Sequence, residues 1–235
     1  MRLRSIDIAM YARAVPLLLR HPTVFVMPLL AAVVDLLIQQ IAPYFTDAMG
    51  GLGNFIFVIV TQLVYGFCFG VAVIGANNVW RGRRATFDEA WEEARQKAGS
   101  ILIATIGFYF LLWAAQYIGE FLGAGGLIGV ILELVVAFFL IYTIPAAAIG
   151  GMPGNLAIGA SFRAVRENLL GAALLAIIFV VLWNLVPNML LTRLGTGLNL
   201  IEYQLIGAAI KAIVLAYLAF PFAKQYDDVA FRGFW

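Results

Sequence analysis

Six stretches of this chain, 23–44, 55–76, 100–117, 127–149, 170–187 and 201–222, are nearly free of charge and close to the length of a bilayer crossing. A helix needs roughly 20 apolar residues to cross the hydrocarbon core. Six such stretches predict six transmembrane helices and an all-α, polytopic membrane protein. Composition agrees: 63% of residues are hydrophobic, 12% are charged and mean hydropathy is +0.96, outside the range of a water-soluble domain. The chain reads as a single membrane domain, 1–235.

Between the apolar stretches the positive charge is one-sided. The connections near 44–54, 119–126 and 189–200 contain one basic residue between them, Arg193, and Lys211 lies within a span. The other thirteen of the fifteen lysines and arginines fall in the N-terminal segment, the stretch from Arg81, the Arg163 stretch and the tail. The positive-inside rule then places both termini in the cytoplasm of an inner or plasma membrane. No cleaved signal peptide is expected, because Asp7 and repeated arginines interrupt any short apolar core at the N-terminus.

The longest run that could not sit in lipid is RGRRATFDEAWEEARQK, 81–97. Thr86 followed by Glu89 predicts a capping box and a helix to about Ala98. Phe87, Ala90, Trp91 and Ala94 share one side of it, and Glu93 stands four residues before Lys97 as a helix ion pair. This describes a helix lying on the membrane surface, although a solvated connector fits the same residues. Residues 5–20 and 156–168 are amphipathic in the same way, the first kinked or ended near Pro16. Arg13, Arg20, Arg81, Arg83, Arg84, Trp91, Arg163 and Arg166 are therefore expected at the membrane surface, against lipids that include anionic head groups. No nucleic-acid-binding module is visible.

Surface helix followed by hairpin recurs three times, at approximately 1–78, 79–150 and 151–235. The joins Leu19-Arg20-His21-Pro22, Ala94-Arg95-Gln96-Lys97 and Val165-Arg166-Glu167-Asn168 can be laid over one another. Three packed hairpins around a shared centre are expected. The Gly-rich turn 49–54 should separate the first two spans, and the GGMPGN break, 150–155, should end the fourth. Gly66 and Gly70, like Gly125 and Gly129, form small-xxx-small pairs that mark close helix packing.

Ionisable groups inside a span are costly and usually face protein or water. Counting about 1.5 Å per residue, Asp35, Glu133 and Lys211 all lie roughly 9 to 15 Å below the outer surface. Gln62 shares their layer, and Asn184 lies nearer the outside. One reading is a polar site in which Lys211 pairs with Asp35 or Glu133, leaving one carboxyl for a cation, a proton or a polar head group. The other is an ion pair that merely holds the helices in register. His21 is the single histidine and Cys68 the single cysteine, so neither a metal centre nor a catalytic constellation is expected, and no cofactor is implied. GMPGNLAIGAS lacks the lysine of a phosphate loop.

Tyr142-Thr143-Ile144-Pro145-Ala146, the Gly-rich break and Ala160-Ser161-Phe162-Arg163-Ala164-Val165-Arg166-Glu167-Asn168 resemble the glycerophosphoryl diester phosphodiesterase membrane-domain family and its uncharacterised six-helix relatives. Pro221, Tyr226-Asp227-Asp228, Arg232-Gly233 and the Arg20-His21-Pro22 join are similar to that family too. Ser161 precedes the arginine where the family tends to place a serine after it. In some members the membrane part precedes a soluble catalytic barrel, which this chain does not contain, so the resemblance implies no phosphodiesterase activity here. The expected function is that of a non-enzymatic accessory or membrane-organising subunit that contacts lipid and has a possible protein partner in the membrane. The alternatives are a small transporter or lipid-handling protein, which needs a cavity reaching Asp35 or Glu133, and an intramembrane enzyme, which needs a nucleophile near a base.

Overall fold

The computed structural model describes residues 7–83, 86–121, 125–194 and 199–231, apart from the side chains of a few residues, Asn184 among them. Arg84 and the Arg232-Gly233 motif lie outside the described residues. Helices account for nearly all of it, and no strand occurs among the described residues. Five helices are individually long and apolar enough to cross a membrane, and a bent pair contributes up to one more.

Helix α1, Ala9–Arg20, carries Pro16 inside it without ending there. A single 3-10 turn, Pro22–Phe25, leads into α2, Val26–Met49. Helix α3, Gly51–Trp80, begins after a single residue, Gly50, whose φ of 61° suits glycine. The expected six-residue turn is thus almost wholly helical. In lipid every backbone N–H and C=O must find a partner within the chain, and a helix that continues through glycines supplies one.

Helix α4, Phe87–Gln96, starts where expected: Thr86 Oγ1 accepts from the Glu89 backbone N–H at 3.4 Å. Bonds from Arg95 and Gln96 hold the exposed Glu92 carboxyl below the usual carboxylate range. Trp91 is partly exposed and sits edge-on to Phe67 of α3 with a ring separation of 5.8 Å. The Glu93–Lys97 pair forms at 2.6 Å.

Helix α5, Ala98–Phe121, is followed by α6, Gly125–Leu140, and α7, Thr143–Ala148. The fourth span is therefore broken at 141–142, ahead of Pro145, which has no N–H to carry the helix bond across. All six residues of α7 are buried. Lys97 Nζ donates to the Ala148 carbonyl at 2.8 Å, placing a cation on the unsatisfied C-terminal end of that short helix.

Helix α8, Gly154–Glu167, meets α9, Leu169–Val180, at an angle of 117°. Asn168 makes this corner possible by accepting from the Gly171 N–H at 3.1 Å. Its φ and ψ of −142° and 64° resemble those of His21, −125° and 67°, at the first join, whereas Lys97 at the second is different. Two of the three aligned joins thus turn the chain in one way. After α9 a π-helical turn, Val181–Leu185, leads into α10, Val186–Leu194.

Helix α11, Leu200–Ala230, opens with a reciprocal capping box between Asn199 and Glu202 and runs through Pro221 into the tail. The three-hairpin plan holds for α2 with α3 and for α5 with α6. In the third pair α11 touches α9 and α10 but packs mainly against α2 and α3, while α9 lies against α6. Alanines make this possible, since Ala32, Ala208 and Ala212 form the α2–α11 seam and small side chains let membrane helices approach closely.

Tyr142 Oη donates to Gln225 Oε1 at 2.8 Å, and Gln225 Nε2 donates to Tyr11 Oη at 2.9 Å. This buried chain ties α1, the fourth-span break and α11 together. Arg81 is exposed at the end of α3, and there its Nε donates to Oδ1 of buried Asp227 at 3.2 Å and its guanidinium stands 5.5 Å from the Phe231 ring. An exposed arginine gains more from a buried carboxylate than from screened solvent. Arg81→Ala should lower stability by about 1–2 kcal/mol and open the end of α11 to trypsin at Lys224. Unchanged cleavage would mean that Arg81 does not hold that segment. Arg13, Arg20, Arg83, Arg163 and Arg166 are exposed.

Candidate functional site

The polar layer divides into two parts. In the first, Lys211 Nζ of α11 lies 3.1 Å from Asp35 Oδ2 of α2, and Tyr65 Oη of α3 donates to the same oxygen at 2.8 Å. The ammonium also stands 5.7 Å from the Tyr65 ring centroid. Asp35 is 5% exposed, so a buried carboxylate has been given a cation and a hydroxyl donor. Of the two acids considered for Lys211, Asp35 is the partner.

Glu133 belongs to the second part. It is also 5% exposed, and with Gln62 it lines a cleft of about 370 Å³ in the side of the bundle. At the bottom of this cleft α3 and α5 touch: a Cβ on Gly66 would lie 2.1 Å from Thr105 Cγ2. At the other end the rings of Phe55 and Trp113 lie 5.9 Å apart across the same two helices. Between these closures Ile59, Ile106 and Phe110 form a rim whose apolar side chains are exposed. In a membrane this rim faces lipid, so the cleft is a lateral window. Its back holds Glu133 of α6 and Trp183 of the π-helical turn.

Trp183 touches both parts. Its ring stands edge-on to Tyr65, 5.4 Å away, and stacks on Phe179 at 6.4 Å. The extra residue of a π turn rotates the succeeding residues relative to an ideal helix, and such turns recur at functional sites. Here that turn carries the indole that lines the cleft with Glu133 and also meets the Tyr65 ring. Gln62 Oε1 is buried without a hydrogen-bond partner among the described residues. Buried polar atoms are rarely left so, and this one belongs to a residue that lines the cleft.

Sequence reasoning found Asp35, Gln62, Glu133 and Lys211 but missed Tyr65, Trp113 and Trp183. The signal available for Tyr65 was its place three residues after Gln62 in the same span. For the tryptophans it was their occurrence inside apolar stretches rather than at the ends. Asn184 has its side chain outside the described residues. A second groove, about 400 Å³ and wholly apolar in its lining, runs beside α4 and is bounded by Phe67, Cys68 and Trp91. Leu63 lines both. Among the described residues no group of three His, Cys, Asp or Glu side chains could hold a metal ion. Comparison of the chain with family models, curated proteins and solved structures gives no match.

Proposed function

We propose that this protein is a lipid-handling membrane protein that binds an amphiphile through the lateral window between α3 and α5, and that it performs no chemistry on it. The observation that supports this reading is the union, in one cleft, of an apolar rim open to lipid with Glu133 and Gln62 in its lining. Ligand sites are typically apolar clefts with a few polar groups that fix orientation. A subunit that only organised its neighbours would have no need of a buried carboxyl in a cavity, which is why the accessory role now ranks second. The same reading sets the basic face of α1, α4 and α8 against the cytoplasmic leaflet, where anionic lipid would hold it. It includes kinship with the glycerophosphoryl diester phosphodiesterase membrane-domain family on the sequence motifs alone.

Tryptophan fluorescence tests this directly. In nanodiscs, a single-chain amphiphile brominated near its head should quench Trp113 and Trp183 saturably. The saturable part should vanish in the Trp113→Phe/Trp183→Phe variant and fall at least severalfold when Ile59→Phe and Ile106→Phe crowd the window. Quenching that rises linearly with amphiphile and is the same in all variants would mean simple partitioning into the bilayer, and no site.

A further inference from the structure

Within that amphiphile reading, on which this inference rests, we infer that the preferred head group is a primary ammonium. Three features of the window point to it. Among the described residues the lining carries one carboxyl, Glu133, and no lysine or arginine. A carboxylate has about four lone-pair positions, so Glu133 has capacity for a ligand in addition to the interaction it makes within the protein. Gln62 adds a buried acceptor, Oε1, that no group among the described residues serves. The surrounding walls are aromatic, with Tyr109, Trp113 and Trp183 among them.

Each class of head group meets these features differently. An anionic head would set a second negative charge beside a buried carboxyl, which low dielectric makes unfavourable. A neutral carbonyl head has no donor for Gln62 Oε1, and a hydroxyl head has only one. An ammonium has three N–H donors, enough for Glu133, Gln62 and one further acceptor, and its charge is favoured near aromatic ring faces. A quaternary ammonium keeps the charge but has no donor. Primary ammonium should therefore bind best, quaternary ammonium next, then alcohol and last carboxylate. Lys211 illustrates the same chemistry within the protein, where an ammonium meets the Asp35 carboxylate beside the Tyr65 ring.

The experiment is competition against the brominated probe in neutral nanodiscs with dodecylammonium, dodecyltrimethylammonium, dodecanol and dodecanoate, and with phosphatidylethanolamine against phosphatidylcholine. Dodecylammonium should displace the probe about tenfold more effectively than dodecanol. Glu133→Gln should remove that advantage, and Gln62→Leu should narrow the gap between primary and quaternary heads. Displacement by phosphatidylethanolamine but not phosphatidylcholine identifies a lipid head group as the source; displacement by the alkylammonium alone identifies a free lipophilic amine. Equal displacement by dodecanol and dodecylammonium, or an ammonium preference that survives in Glu133→Gln, would overturn the inference while the amphiphile site stands. Absence of saturable probe binding would remove the site itself. A Glu133→Gln protein that fails to fold leaves the ordering of heads on the unmodified chain, with the Gln62→Leu variant, to decide the matter.

Discussion

Replacing Lys211 by methionine should destabilise the bundle by about 3 kcal/mol, because it leaves the Asp35 carboxylate buried with the Tyr65 hydroxyl alone. The double variant Lys211→Met/Asp35→Asn should recover most of that loss. Asparagine keeps an acceptor for Tyr65 but carries no charge, so the cost of an uncompensated ion disappears with the ion. Asp35→Asn alone should cost less than Lys211→Met, since the Lys211 side chain is 35% exposed and the Asp35 side chain only 6%. A long lysine stem can also carry its ammonium towards a polar surface, an escape that a short aspartate lacks. Reversible unfolding in mixed micelles of a denaturing and a mild detergent would read the four proteins. If the double variant is no better than Lys211→Met, the two charges are not compensating one another and the polar layer has been misread. The same proteins should retain saturable probe binding, because Asp35 and Lys211 are not among the described residues that line the window. Loss of binding in the rescued double variant would make the two parts one site.

Depth could be read from the chain and azimuth could not. Counting residues along six apolar stretches placed Asp35, Gln62, Glu133 and Lys211 in one layer, because the rise of a helix is nearly constant. Which acid meets Lys211 depends on the direction each helix faces, at about 100° per residue, and on which helices are neighbours. Here α11 packs more on α2 and α3 than on its own hairpin partner, and nothing in the apolar pattern of 201–222 distinguishes those arrangements. The π-helical turn at Val181–Leu185 is likewise invisible, since VLWNL reads as ordinary helix. The partner of Arg81 was hidden for another reason. Its charge argued for a surface and it is exposed, but its carboxylate partner Asp227 lies 146 residues away. The legible features were local ones: the Thr86 cap, the Glu93–Lys97 pair and the glycine pair of the second span.

That glycine pair carries the other large effect. Gly66→Ala should cost about 2–3 kcal/mol, although alanine is the better helix former. The new Cβ would stand 2.1 Å from Thr105 Cγ2, 2.3 Å from its Oγ1 and 2.7 Å from its Cβ. Thr105 cannot swing aside freely, because its hydroxyl donates to the Ile101 carbonyl at 2.7 Å and its side chain is fully buried. The helices themselves must part. Gly70→Ala should be milder: its Cβ would meet Ile101 Cγ2 at 2.8 Å, an aliphatic methyl that a rotamer change can move. Adding Thr105→Ala to Gly66→Ala should restore more than about 1 kcal/mol beyond the sum of the single effects. Because this contact closes the bottom of the window, Gly66→Ala should also weaken saturable probe binding, and the double variant should regain it in step with stability. Strict additivity of the two substitutions would show that α3 and α5 do not meet at this pair. Restored stability without restored binding would instead assign a role in the site to Thr105, whose hydroxyl the rescue removes.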